Sequence, residues 1–341
     1  MTAKELVLGA IGRQSESRKP CICPGGMMNM IVGELQERCG VFWPQAHSDP
    51  EGMAELASAV YTEGILDNIG VPFCMTVEAE AMGSQVDMGD QYTEPRVTAY
   101  AVDSVRRWRE LRQIDRTAGR PAVVLESLVR IRDRHPDAAV IGNLTGPISL
   151  AASLVDAAVF YKELRKLPEE SHALLGFVTE QLIGFGKAQI EAGADIIAIS
   201  DPSGTGEILG PKQFACFALP YLNQIAEALR PLCGGVIIHI CGRLQPIYPL
   251  LTQLTSDVIS VDSVVSMEAL KAHVPDKAVM GNISTVALEL GNREVLRNHC
   301  RACLRQGVDI LAPACGLGTH TSLNSLGTLM AVAKEFADVQ D

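Results

Sequence analysis

The sequence predicts an α/β protein, a single (β/α)8 (TIM) barrel spanning residues 1–341 with an N-terminal helical extension. Three observations carry that expectation. Eight short apolar runs recur along the chain, each followed by a helical stretch. Several of these runs are apolar throughout rather than alternating, which is how strands buried on both faces of a parallel sheet read. No G-x-G-x-x-G follows the first run, so the main signature of a doubly wound open sheet is missing. The length exceeds the usual ~100–200 residues per domain, but α/β barrels routinely reach it as one unit.

Residues 1–19 mix charges with an amphipathic pattern and lack the apolar core of a signal peptide, so they read as the helical extension. Strand-like runs occupy 20–23, 69–76, 139–143, 195–200, 235–240, 258–261, 278–282 and 309–313. Helix candidates at 50–68, 171–192, 211–229 and 293–306 lie between them. There is no low-complexity tract and no sharp repeat. In such barrels chemistry gathers where strands end, on the loops that follow. That raises the standing of 27–30, 76–80, 143–147, 201–207, 239–243, 262, 282–284 and 315–320.

A net charge of −11 and a pI near 5.2 argue against a nucleic-acid surface. No apolar run reaches the ~18–20 residues of a membrane span, and the expectation is a soluble, cytoplasmic protein. In that reducing setting the ten scattered cysteines are free thiols, metal ligands or catalytic groups rather than disulfides.

Two of them, with one histidine, draw notice. His239-Ile240-Cys241 closes the fifth run and Cys315 follows the eighth. Residues i and i+2 of a strand share a side, so His239 and Cys241 can face one centre, with Cys315 arriving from across the mouth. One imidazole and two thiolates with an open fourth position describe a catalytic zinc site; a structural site would supply four ligands. Cys300-Arg301-Ala302-Cys303 falls within a helix candidate without a second C-x-x-C, and reads as ordinary helical sequence. Cys21 and Cys23 read as core residues of the first run.

Glu78 and Glu80 follow the second run, Asp201 the fourth and Asp262 the sixth. Each stands either as a cavity carboxylate (fourth ligand, or general acid or base) or as a solvated or helix-terminal charge. Asp133-Arg134-His135 begins a D-x-H-x-x-G corrinoid motif, but Pro136 follows and Ala138 replaces the glycine. A Walker loop, a G-x-S-x-G elbow and an H-E-x-x-H motif are all missing from the sequence.

The chain resembles the zinc-dependent methylcobamide:coenzyme M methyltransferases of the uroporphyrinogen decarboxylase superfamily. The similarity is carried by Trp43-Pro44-Gln45-Ala46-His47-Ser48-Asp49-Pro50, by 71–83, by Gly146-Pro147-Ile148-Ser149-Leu150-Ala151, by Asp201-Pro202-Ser203 and by Gly281-Asn282-Ile283-Ser284. Its most diagnostic feature is His-x-Cys with a distant Cys, falling on His239, Cys241 and Cys315. The resemblance implies a barrel, Zn2+ on those three residues, and a methylcorrinoid supplied by a partner corrinoid protein. It implies methyl transfer to a small-molecule thiol acceptor, most simply coenzyme M, within methanogenic or methylotrophic metabolism. Glu78, Glu80 and Asp262 are then candidates for the resting fourth ligand or the acceptor of the thiol proton. Met27, Asn29, Asp201, Arg243 and Asn282 are candidates for contacting corrinoid and acceptor, Arg243 through a sulfonate. Other acceptors such as tetrahydrofolate, the demethylating direction, and a non-enzymatic zinc- or corrinoid-binding role are the alternatives. A decarboxylase of polycarboxylate porphyrinogens is the more distant one, because 21–30 contains no arginine to meet such an anion.

Overall fold

The structure, a computed structural model, describes residues 1–14 and 18–337. Seven strands form one parallel sheet: β1 (Asn68–Val71), β4 (Ala139–Thr145), β5 (Ile196–Ser200), β6 (Val236–Ile240), β7 (Val258–Val261), β8 (Ala278–Ile283) and β9 (Ile310–Pro313). They run in that order from edge to edge, and nearly every strand residue is buried. Helices on the outer face cover the sheet, which is why the strands carry no polar alternation.

The ring is closed by the predicted first strand, which is reduced to a single bridge between Cys21 and Leu311. Ile22 N–H donates to Leu311 O at 3.0 Å and Leu311 N–H to Pro20 O at 2.9 Å. On the other side the Asn68 side-chain amide replaces a backbone ladder. It accepts from Cys23 N–H at 2.9 Å and donates to Cys23 O at 2.8 Å. Pro20 and Pro24 have no N–H to offer a ladder, which explains the short strand. The segment lies so close to β1 that a Cβ on Gly70 would sit 1.8 Å from Pro24 O.

The N-terminal extension is a helix, Ala3–Ile11, opened by a capping box of Thr2 and Glu5. It lies across the end of the barrel opposite the strand C-termini. Lys4 N–H donates to Asp137 O at 3.0 Å, Lys4 Nζ is 2.6 Å from Asp195, and Leu8 and Ile11 lie against Gly234 and Gly235.

Three expectations are corrected. The run at 69–76 is a strand only to Val71; Pro72 ends the ladder and a short helix, Val77–Met82, follows. An antiparallel hairpin absent from the expected elements, β2 (Gln85–Asp87) and β3 (Arg96–Ala99), comes next. Its tip docks on the loop after β9, where Tyr92 stacks on His320 at 5.3 Å and accepts from Thr319 Oγ1 through its carbonyl at 2.9 Å. The helix expected at 211–229 is broken into Gly206–Gln213, a wider π-helical turn Phe214–Ala218, and Leu219–Leu229. Pro220 has no N–H for the Cys216 carbonyl, so an ordinary helical turn is unavailable there. Among the described residues no helix is long and apolar enough to cross a membrane.

Candidate metal centre

β6 delivers His239 as its penultimate residue, in register with Ser200 of β5 and Ser260 of β7. Cys241 is the first residue past β6, and Cys315 lies two residues past β9. One ligand atom from each of the three falls within 4.8 Å of the others. His239 Nε2 is 3.2 Å from Cys241 Sγ.

The surroundings orient the imidazole. Nδ1 is 2.9 Å from Ser260 Oγ, whose proton points to Met28 Sδ at 3.7 Å. A hydroxyl that donates to the thioether accepts from Nδ1–H, and the Nε2 lone pair then faces the two sulfurs. His239 is 1% exposed and Ser260 fully buried, so water does not compete for that arrangement. The sulfurs are half-buried. Cys315 is held well below the ordinary thiol range by the Cys241 S–H directed at it, helped by His239 and the Gly316 amide. Cys241, the donor of the pair, is pushed up by that same bond and by burial. A soft N/S2 donor set at this spacing suits a tetrahedral ion with Zn–S near ~2.3 Å and Zn–N near ~2.1 Å, one position remaining open.

The four predicted carboxylates separate. Asp262 follows β7 directly and accepts from Gly242 N–H at 3.2 Å, pinning the residue after Cys241; its charge reaches the Cys241 sulfur. Glu78 is 1% exposed and faces the end of β4, accepting from Thr145 N–H at 2.9 Å and Thr145 Oγ1 at 3.1 Å. Burial pushes its carboxyl up to about 7. Glu80 turns away to a 2.5 Å ion pair with Arg120, so the expected Glu78/Glu80 pair is not a pair in space. Arg120 also donates to Cys74 Sγ at 3.3 Å and Thr76 Oγ1 at 2.8 Å. With Glu80, it lines a cavity of about 750 Å3. Asp201 is buried and spends its oxygens on the helix Pro147–Leu154, accepting from Ser149 N–H at 2.8 Å, Ser149 Oγ at 2.6 Å and Ile148 N–H at 3.2 Å.

Residues 2–336 match the uroporphyrinogen decarboxylase (URO-D) family. The chain is 31% identical to the methylcobamide:CoM methyltransferase MtbA of Methanosarcina acetivorans, across 98% of both proteins. It is equally identical, at the same coverage, to the methylcobamide:CoM methyltransferase MtaA of Methanosarcina barkeri. The solved structure of a methyltransferase from Methanosarcina mazei superposes with a TM-score of 0.91 at 29% identity, covering 98% of this chain and 99% of that one. The chain belongs to the methylcobamide:coenzyme M methyltransferase family, within the URO-D superfamily.

Other residues of this methyltransferase that were expected at the site are placed as follows. Asn29 is buried and braces its own loop, accepting from Ile31 N–H at 2.9 Å and donating to Ile31 O at 3.0 Å, while its carbonyl accepts from Leu317 N–H at 2.8 Å. That ties the loop after 20–23 to the loop carrying Cys315. Met27 is half-buried on the same loop, its carbonyl against Gly316. Asn282 donates to Asp262 O and Val265 O, both at 2.8 Å, and so shapes the loop after β7. Arg243 is exposed at the rim, 3.8 Å from Glu207. Cys300 and Cys303 lie buried on the helix Arg293–Arg305, as the sequence reading has them.

Three residues of the site were not singled out from the sequence. Ser260 carried a faint signal, a hydroxyl within the apolar strand Val258–Val261. Met28 carried only its place in a methionine-rich loop. Glu94, on the hairpin loop, carried none; burial pushes it up to about 8, with the charges of Cys74 and Cys315 adding to the effect.

Proposed function

We propose that this chain transfers a methyl group from a methylated corrinoid, presented by a separate corrinoid protein, to the thiol of coenzyme M, with zinc held by His239, Cys241 and Cys315. The observation that carries the reading is the convergence of those side chains, with Ser260 Oγ 2.9 Å from the far ring nitrogen of His239. Zinc, when bound there, supplies an open Lewis-acidic position at which a thiol loses its proton yet remains nucleophilic. The chain's own residues do the rest. Ser260 and Met28 hold His239, Asp262 holds the Cys241 loop, and Asn29 ties the Cys315 loop to the mouth. Asp262, whose charge reaches Cys241, is the candidate acceptor of the thiol proton. Arg243 on the rim offers a cation to the sulfonate of the acceptor. The acceptor sulfur attacks the methyl carbon, the carbon–cobalt bond breaks with its electrons left on cobalt, and a thioether and Co(I) are formed. A porphyrinogen polycarboxylate is disfavoured because 21–30 brings methionines rather than arginines to the mouth. Free thiols throughout the chain fit the reducing cytoplasm.

The test is absorbance of cobalamin during incubation of zinc-analysed protein with methylcobalamin and coenzyme M. The cob(I)alamin spectrum should appear and be abolished by chelation. Cys241→Ala and Cys315→Ala should each lose zinc and turnover together. Retained zinc and near-normal turnover in both variants would refute the site; bound zinc without cob(I)alamin would move the acceptor away from coenzyme M.

A further inference from the structure

Apart from the three metal-ligand candidates, the π-helical turn Phe214–Ala218 carries Cys216 on its outer side. Of the ten cysteines, all within the described residues, it is the one that is exposed. Its sulfur is 3.6 Å from Nε2 of His172, on the helix Pro168–Glu191. The other ring nitrogen, Nδ1, is 2.8 Å from the hydroxyl of Tyr221, and that hydroxyl donates to the His172 carbonyl at 3.1 Å. A phenol has one proton. With that proton on the carbonyl, the phenol oxygen can only accept from Nδ1, so Nδ1 bears the ring hydrogen and Nε2 presents a lone pair to the thiol. Phe217 stacks on the imidazole at 4.5 Å and holds the ring in place. The arrangement is that of a nucleophilic thiol: sulfur, a base within reach, and a third group orienting the base. None of the three takes part in the proposed metal centre.

We propose that Cys216, His172 and Tyr221 form a reactive-thiol site that takes small disulfides by exchange. His172 Nε2 removes the thiol proton as Cys216 Sγ attacks one sulfur of a disulfide R–S–S–R. The S–S bond of the reagent breaks, a Cys216–S–S–R bond forms, and the departing R–S− takes the proton from His172. No external oxidant is needed, since the disulfide itself is reduced at the departing half. The exchange is independent of the methyl-transfer reading.

The test uses the full-length, zinc-containing protein and the neutral reagent bis(2-hydroxyethyl) disulfide at pH 7. Acid quenching followed by peptide mass spectrometry gives the rate at which Cys216 acquires the adduct. The reference is the same cysteine in guanidinium-unfolded chain. An ordinary thiol titrating near ~8.5 is about 3% thiolate at pH 7, and because nucleophilicity falls with pKa, activation by deprotonation is limited to about three- to fourfold. We expect Cys216 to react about threefold faster folded than unfolded, and His172→Gln to return it to the unfolded rate. Tyr221→Phe, which frees the ring proton to move to Nε2, should slow it at least twofold. A folded rate equal to or below the unfolded one overturns the proposal using wild-type protein alone. So does an unchanged rate in a His172→Gln protein whose circular dichroism is native. Methyl transfer by Cys216→Ser should match wild type, so failure of the exchange and failure of the proposed function are separable.

Discussion

Removing one hydroxyl, in Ser260→Ala, tests how the barrel prepares His239. The Nδ1–Oγ contact is 2.9 Å and sits where neither residue meets solvent, so no water replaces the lost acceptor. A buried N–H left without a partner costs about 1–3 kcal/mol. That cost does not fall equally on the two states. Without metal, the imidazole escapes it by moving its proton to Nε2, which faces Cys241 at 3.2 Å. With metal on Nε2 the proton must stay on Nδ1, so the penalty is borne by the loaded state alone. At ~1.4 kcal/mol per factor of ten, zinc affinity should fall about 10–100-fold, the range usual for partners of metal-bound histidines. Metal-free stability should change by less than about 1 kcal/mol. The assay is zinc competition against a chromophoric chelator at pH 7, run beside a denaturant melt of metal-free protein. Met28→Leu keeps the volume but removes the sulfur that draws the Ser260 proton away, and should weaken zinc by about threefold. Wild-type affinity within twofold in folded Ser260→Ala would refute the claim that the tautomer is set by this contact.

The remaining expectations concern charge, packing and the rim. Glu78 is raised from 4.5 to about 7, so it is neutral in both states at low pH. As pH rises from about 4.5 to 7 the unfolded chain ionises it while the folded chain keeps the proton, and stability falls by about 3 kcal/mol before levelling off. Glu78→Gln removes that loss, so its stability relative to wild type should grow by ~1–3 kcal/mol between pH 5 and pH 8 in guanidinium melts; parallel pH profiles would count against it. Gly70→Ala places a methyl 1.8 Å from Pro24 O where both partners are backbone, and should cost about 3 kcal/mol or more by denaturant melt. A loss under 1 kcal/mol would mean the 20–24 segment is not held against β1. Arg243→Gln should raise KM for coenzyme M by about fivefold while leaving kcat within twofold, as expected for a contact made equally before and during reaction; an unchanged KM removes Arg243 from acceptor binding.

The barrel was legible because burial on both faces leaves uninterrupted apolar strands, and seven of the eight expected runs pair in chain order. The remaining run, the first, is a bridge because two prolines withhold ladder hydrogens and a side chain, Asn68, substitutes for main chain. Pairing of that kind has no periodicity to read. The hairpin was missed for a related reason: Gln85–Asp87 and Arg96–Ala99 are short and half-exposed, and what fixes them is docking of Tyr92 on His320, a contact between residues far apart in the chain.

The candidate metal centre divides along the same line. His239 and Cys241 are readable because strand alternation gives two residues apart one side, and Cys315 because it too follows a strand. The carboxylates were not separable, since position after a strand says only that a residue reaches the mouth. What distinguishes them is the partner each finds: Glu80 an arginine, Asp201 a helix N-terminus, Glu78 the last residue of β4, Asp262 the backbone beside Cys241. Asp262 differs in that its partner is the backbone beside Cys241, although its charge and that of Asp201 both reach the Cys241 sulfur. Ser260 shows the converse. It lies in register with His239 on the next strand, so a polar residue opposite a ligand in an otherwise apolar parallel sheet has no solvent to face and must serve its neighbour. In a barrel of this kind, residues that orient a metal ligand are therefore to be sought at the same height on adjacent strands, where hydroxyls and thioethers interrupt the apolar pattern.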